Sequence, residues 1–346
     1  LHLPTASTLP SLQTSPLGEE AYLGSGDAAQ IQRLTQIHLK IALNKLDGPL
    51  HLIDNIKPTS NEIMKQLYHF LSPKFQTLFL EYPVRFLPRY GEKKPAHQIL
   101  YKVINENRAT YRGLLETFLK HSDYFFSIKD AAVEKEENLP AWNNGFLPGL
   151  DMISIYGMIA YYQPKNYIEI GSGNSTKIAR KSIIDNHLQT KITSIDPFPR
   201  AQIDHLSDNV IRKPFEQFEN LESIIDTLQE NDILFIDNSH RVFPNSDAMV
   251  TFMELLPRLR KGVVVHIHDI YLPYDYPQFM CDRFYNEQYF LAAFLMANPT
   301  KYCTLLPNYF ISEDGELSQI LAPIWLHPNL QNVERHGGSF WLQIGE

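Results

Sequence analysis

The sequence predicts an α/β fold: a mostly parallel sheet in the carboxyl-terminal part, preceded by a mostly α-helical amino-terminal domain. Three observations carry this. From about residue 141, short apolar runs alternate with stretches of helical spacing, the pattern of parallel strands joined by crossover helices. One such run, Tyr167-Ile168-Glu169-Ile170, turns through Gly171-Ser172-Gly173 directly into the helical spacing of Lys177–Ile184. The last two runs, Tyr302–Leu306 and Ser339–Leu342, have no long helix between them, which suits an antiparallel hairpin closing the sheet.

Taken in order, residues 1–27 are rich in Thr, Ser, Pro and Gly without periodicity and read as a flexible tail. Residues 28–140 form the helical segment. Ile31, Leu34, Ile37 and Ile41 fall on one face, and Thr59-Ser60-Asn61-Glu62 is a capping box ahead of Ile63, Leu67 and Phe70. Tyr82–Gly91 holds too much proline for a helix. Helical spacing returns with Leu100, Val103 and Ile104, then Leu114, Leu115 and Phe118, and the charged stretch Lys129–Asn138 follows as a linker or solvated helix end. This segment reads as a packing or dimerisation domain, which leaves a homodimer open. The rival reading is a lid whose Arg85, Arg89 and Tyr90 reach a substrate. The first is preferred, because charged loops are usually only solvated. From 141 on, Leu150–Tyr162 is helical until Pro164 breaks it. The strands are then Tyr167–Ile170, Ile192–Ile195, Val210–Ile211, Ile233–Ile236 and Val263–Ile267.

Composition narrows the function. A net charge of −8 over 346 residues argues against a nucleic-acid partner, since neutralising phosphates needs a basic face. The two cysteines, Cys281 and Cys303, are too far apart for a C-x-x-C site and fit a reducing, cytoplasmic setting. Apolar stretches such as Phe290–Ala297 are too short to span a bilayer, so no membrane partner is expected. The chain opens at Leu1, which leaves a removed targeting segment open.

The candidate site residues sit at the strand ends. In the glycine turn, Gly171 and Gly173 allow positive φ and close approach of a ligand, and Asn174 or Ser175 is placed to cap the following helix. Thr176 stands where a dinucleotide fingerprint would have its third glycine. The second run ends in Asp196-Pro197, an acid placed for ribose hydroxyls or, more simply, for capping a turn. Phe215 after the third run borders an adenine or belongs to the core. The fourth run delivers Asp237-Asn238-Ser239-His240 and the fifth His266-Ile267-His268-Asp269. Strand alternation puts His266 and His268 on one face and Asp269 on the other. A lone histidine is more often structural, as His266 is expected to be. Convergence of Asp237, His240, His268 and Asp269 at neighbouring tips points to chemistry, with His240 and His268 as candidate bases.

Together Glu-Ile-Gly-Ser-Gly-Asn-Ser-Thr, Ser-Ile-Asp-Pro, Phe-Ile-Asp-Asn-Ser-His and His-Ile-His-Asp-Ile-Tyr-Leu-Pro-Tyr-Asp-Tyr-Pro resemble a bacterial branch of class I S-adenosylmethionine (SAM)-dependent methyltransferases. The likeness covers about residues 140–346. It implies a Rossmann-like seven-stranded SAM-methyltransferase sheet. It also implies that Glu169, Gly171, Ser172, Gly173, Asn174 and Ser175 hold the amino-acid part of SAM. Asp196 and Pro197 would then lie at the ribose, Phe215 at the adenine and Asp237 at the methionine end. The implied activity is methyl transfer to a small-molecule acceptor, O-methylation preferred, with His240, His268 and Asp269 catalytic and Tyr271, Tyr274 and Tyr276 lining the acceptor pocket or the core. Some sugar and catechol O-methyltransferases hold a divalent metal with acids at these strand ends. Asp237, His268 and Asp269 form a tentative counterpart, although His268 departs from the usual acid. The alternatives are SAM use without methyl transfer, metal-centred oxidation, a nicotinamide-dependent oxidoreductase, and a non-catalytic SAM-binding protein. Polar groups at four strand tips argue against the last.

Overall fold

The computed structural model describes residues 68, 70–72, 76, 78, 80–82, 84–91, 93–199 and 203–346. The expected tail, the amphipathic helix from Ala28 and the capping box at Thr59–Glu62 lie outside the described residues. The chain divides into two compact units, Leu1–Pro83 and Val84–Glu346. In the first, Tyr68, Phe70 and Leu71 are helical.

The second unit begins with three helices, α1 (Gln98–Asn105), α2 (Arg108–Phe118) and α3 (Ser122–Phe126). Then come α4 (Gly149–Tyr162), β1 (Asn166–Ile170), α5 (Asn174–Asp185), β2 (Lys191–Ile195), β3 (Asn209–Ile211), α6 (Leu221–Thr227) and β4 (Ile233–Ile236). They are followed by α7 (Asp247–Val250), β5 (Val264–Ile267), α8 (Gln278–Cys281), α9 (Glu287–Ala297), β6 (Tyr302–Pro307), α10 (Asn308–Glu313), α11 (Ala322–Trp325) and β7 (Phe340–Ile344). Residues 84–140, grouped by sequence with the helical segment, share this unit with the sheet: α2 packs on α4 and β6, and Arg108 pairs with Asp314 at 2.6 Å. Among the described residues no helix is long and apolar enough to cross a membrane.

The sheet has seven strands in the order β3-β2-β1-β4-β5-β7-β6, with the first five parallel and β7 antiparallel to both β5 and β6. This is the expected α/β architecture. Strands β4 and β5 are buried at every position, as is β1 from Tyr167, because helices cover both faces. The same demand explains α4, which is apolar nearly all round and buried from Gly149 to Ile159. It stops at Gln163, whose backbone is left-handed, just before Pro164. The expected antiparallel closing pair is present, but several short helices, not a tight turn, join β6 to β7.

Strand order reverses between β1 and β4, so the loops after these strands part and leave a crevice at the carboxyl edge. Gly171 lies in that gap. Its φ is +84°, and a Cβ there would come within 1.9 Å of the Asp237 carbonyl oxygen, so only glycine lets the two loops pass.

Candidate active site

The crevice opens into a cleft of about 1150 Å³ reached by the loops after β1, β2, β4 and β5. Its first half is the glycine turn. Asn174, Ser175 and Lys177 at the start of α5 line the cleft, and the first N–H groups of a helix have no partner within the helix. Gly173 differs from expectation: its φ of 165° is ordinary extended backbone, and nothing lies within 4 Å of where its Cβ would be. It keeps space open for a ligand and imposes no special turn. Gly173 also takes the helix-capping position expected of Asn174 or Ser175, and the Thr176 hydroxyl accepts from its N–H at 3.1 Å. Asn174 lines the cleft and donates to Asn144 at 3.3 Å.

Glu169 does not reach the cleft. It is fully buried and accepts from the hydroxyls of Thr176 at 2.6 Å, Ser175 at 3.3 Å and Ser194. Burial pushes its carboxyl up to about 7, and those hydroxyls limit the rise. It therefore ties β1, β2 and the start of α5 together behind the turn, and touches a ligand only through the shape it imposes. Ser175 is buried with it.

Asp196 caps β2 on the cleft wall. One carboxylate oxygen accepts from the Ser172 N–H at 2.8 Å, and the other from the Phe198 N–H at 2.8 Å. The first oxygen also accepts from the Ser172 hydroxyl at 3.2 Å, so it is the second that keeps a lone pair for a further donor. Pro197 and Phe215 line the same wall, with Phe215 nearly buried and stacked on Phe218.

The second half is a network of charges. The His240 Nδ1 lies 2.6 Å from Glu287 Oε1, and its Nε2 lies 3.3 Å from Asp237 and 3.5 Å from Asp269. Its ring stacks on Tyr285 at 4.5 Å. His268 faces Asp237 at 3.7 Å and Asp269 at 3.6 Å through Nδ1, and Asp151 at 3.5 Å through Nε2. Burial lowers both imidazoles' proton affinity, but the carboxylates win. Asp269, Asp237 and Asp151 lift His268 to about 9, and Glu287, Asp237 and Asp269 lift His240 well above the ordinary range. In return the two rings overcome the burial of Asp237 and hold it below the usual carboxylate range. At neutral pH both histidines are cations in this state, so neither is a ready base as the sequence suggested.

Asp269 shares the cleft with His268 although strand alternation assigned it to the other face. Its backbone is left-handed, φ 55°, which redirects the side chain as β5 ends. His240 is likewise at φ 62°, with its N–H held by the Asn238 side chain at 2.8 Å. His266 is structural, as expected. It is buried between Phe235 and Trp341, contacts Ser339 at 2.7 Å and is kept neutral, its pKa lowered to about 3 chiefly by burial. Of the three tyrosines, Tyr271 lines the cleft; Tyr276 is core and Tyr274 packs on Tyr309.

Two participants escaped the sequence reading. Asp151 on α4 is fully buried and accepts from Asn308 Nδ2 at 2.7 Å, Gly338 N–H at 2.8 Å and Ser339 N–H at 3.0 Å. Burial opposes its charge, but His268 and these donors keep it ionised below the usual range. An acid inside an otherwise apolar helix was the available signal, because a buried carboxylate needs a partner. Glu287, at the start of α9, carried no such signal. Asp237, His268 and Asp269 do meet, but with ring nitrogens turned to carboxylate oxygens. Among the described residues no group of three or more His, Cys, Asp or Glu is arranged to hold a metal ion. The set as built is an ion-paired network and does not fit the tentative metal site.

Residues 168–270, less than half of the chain, match a family model described as a methyltransferase domain. An uncharacterized protein of Archaeoglobus fulgidus is 26% identical over 161 residues, covering 44% of this chain and 68% of its own length. Among solved structures, the MycE methyltransferase of the mycinamycin biosynthetic pathway, in complex with Mg, SAH and mycinamycin VI, is 16% identical with a TM-score of 0.33. That match covers 54% of this chain, which spans about half (47%) of the length of MycE. The SAH-bound methyltransferase PaMTH1 of Podospora anserina is 13% identical, covering 85% of this chain and 100% of its own, with a TM-score of 0.35. An O-methyltransferase of Bacillus cereus in complex with SAH is 15% identical, covering 74% and 94%, with a TM-score of 0.32. Likeness at this level carries no assignment of substrate.

Proposed function

We propose that this S-adenosylmethionine-dependent methyltransferase moves the methyl group onto an oxygen of a small-molecule acceptor, with His268 taking the acceptor's proton. The observation that carries the proposal is a juxtaposition. The glycine turn and Asp196 open onto the same cleft as the Asp237–His240–His268–Asp269 cluster. When bound, SAM supplies a sulfonium-activated methyl group. Gly171 to Asn174 would hold its amino-acid part, where open space at Gly173 and the N–H groups of α5 fit a carboxylate, and Asp196 would accept from the ribose hydroxyls. Pro197 and Phe215 would border the base.

His268 gives up its proton more readily once a cation shares the cleft with Asp237 and Asp269, because those carboxylates are what raise its affinity. The neutral imidazole is then within reach of an acceptor hydroxyl, with the Asp151 carboxylate 3.5 Å behind its other nitrogen. His240, clamped by Glu287, holds Asp237 and Asp269 in place. Positioning, more than acid–base chemistry, is the main demand, since sulfonium is already a good leaving group.

The test is calorimetric titration with SAM and S-adenosylhomocysteine (SAH), followed by mass spectrometry of hydroxylated acceptors incubated with SAM. Binding of both ligands and appearance of SAH with an O-methylated product are expected. Failure of both ligands to bind would overturn the proposal. SAM consumed without a methylated product would favour use of SAM without methyl transfer.

A further inference from the structure

We propose that the acceptor carries an oxyanion, a carboxylate or a phosphate, and that Arg241 and Arg283 at the cleft wall bind it. The site's role in acceptor recognition rests on the methyltransferase reading; its affinity for an anion does not. Both guanidiniums lie over one ring, that of Tyr285, at 5.1 and 4.7 Å from its centroid, and both residues line the cleft. Two like charges sharing one ring repel each other unless something negative joins them.

Among the described residues no acid pairs with either of them. Arg108, Arg112, Arg180, Arg212, Arg258 and Arg260 each form an ion pair with an acid, as suits a chain of net charge −8. Among the described residues, Arg241 and Arg283 form none, although Asp237, Asp247 and Asp269 line the same cleft. Arg241 is also fixed in advance. Its Nε donates to the Arg283 carbonyl at 2.8 Å and its Nη1 to the Ser239 carbonyl at 2.7 Å, which leaves Nη2 for a ligand. A long side chain held this way loses little freedom on binding, and a planar guanidinium matches a two-oxygen anion.

The pair's location makes it an acceptor site. Tyr285 stacks on His240, whose Nε2 faces Asp237 and Asp269. Tyr285 thus touches both the arginines and the reacting end of the cleft. Asp196 and Phe215 belong to other strand tips. An acceptor with its hydroxyl at the Asp237–His268 cluster would present its anion to the guanidiniums across the face of Tyr285.

The experiment is calorimetric titration of inorganic phosphate and, separately, benzoate into SAH-saturated protein at low ionic strength. Saturable binding of at least one probe is expected, and the tighter one names the anion. Arg241→Gln and Arg283→Gln should each weaken it about tenfold, with Arg283→Lys intermediate and SAH affinity unchanged. Melting curves matching the parent's check that the variants fold. Absence of binding, or equal binding by parent and variants, overturns the site. So does a parallel loss of SAH affinity, which would give the pair to the cofactor's own carboxylate. If SAH does not bind the parent, the methyltransferase reading fails, and the same titration on the protein alone still decides the anion site by the same tenfold criterion.

Discussion

The two halves of the cleft are built on different principles. The half proposed for the cofactor is largely main chain between Glu169 and Asp196, with Pro197 and Phe215 beside it, and its buried acid works from behind through hydroxyls. The half proposed for the acceptor is made of side chains gathered from α4, the loops after β4 and β5 and the start of α9, with main-chain N–H groups of the turn before β7 holding Asp151. Main-chain donors act one by one, so a local change there has a local effect. Charges in a buried network set one another's proton affinity, so a change at one is felt by all.

The largest expected effect breaks the acceptor half alone. His268→Ala should lower turnover about a thousandfold, within the range of a lost acid–base group, while SAH affinity stays within threefold. Single-turnover kinetics beside calorimetry would check it, and full turnover in the variant would remove His268 from the mechanism. Asp196→Ala is the converse. Losing a charged acceptor for two hydroxyls should weaken SAH binding roughly a hundredfold and leave the melting temperature nearly unchanged, because the carboxylate is only half-buried. Unchanged affinity would refute the ribose assignment.

Asp151→Asn sharpens the comparison, since Asp151 touches the cluster only through His268. Turnover should fall about thirtyfold, as for other lost orienting partners. The pH dependence should also move. In the parent, His268 stands at about 9 against 6.5 when unperturbed. Its ion pairs therefore stabilise the fold fully below about pH 6.5, and that stability is lost as pH rises through about 9. Activity has the opposite sign, because the base must be neutral: kcat/KM for SAM, which reports the free enzyme, should climb from neutrality and level off above about 9. With asparagine at 151 this limb should shift to lower pH, whereas a merely structural role for Asp151 would leave it in place.

The same difference explains what was legible in the sequence. The strands from Tyr167 to Ile267 were readable because full burial on both faces demands continuous apolar runs. The glycine turn and Asp196 were readable because they are contiguous with those strands. Glu169 was placed in the right turn but given to the ligand, since nothing in its position says that Ser194 lies behind it. The proton affinities of His240 and His268 were not legible at all. They depend on Asp151 and Glu287, which are distant in sequence, and on left-handed backbone at His240 and Asp269 that alternation cannot foresee. Histidine pairs read as bases from sequence are cations here because the fold surrounds them with acids.

The smallest expected effect concerns metal. The groups assigned to SAM in the cofactor half are backbone N–H groups and the Asp196 carboxylate, which is itself engaged by Ser172 and Phe198. In the acceptor half, two imidazoliums already supply positive charge to Asp237 and Asp269. A divalent ion entering there would have to displace the His268 proton, since coordination needs a neutral ring. SAH affinity measured with EDTA should therefore lie within twofold of that measured with added Mg²⁺. A tenfold loss in EDTA would mean that a cation bridges the two halves, and that His268 acts as its ligand in place of a proton acceptor.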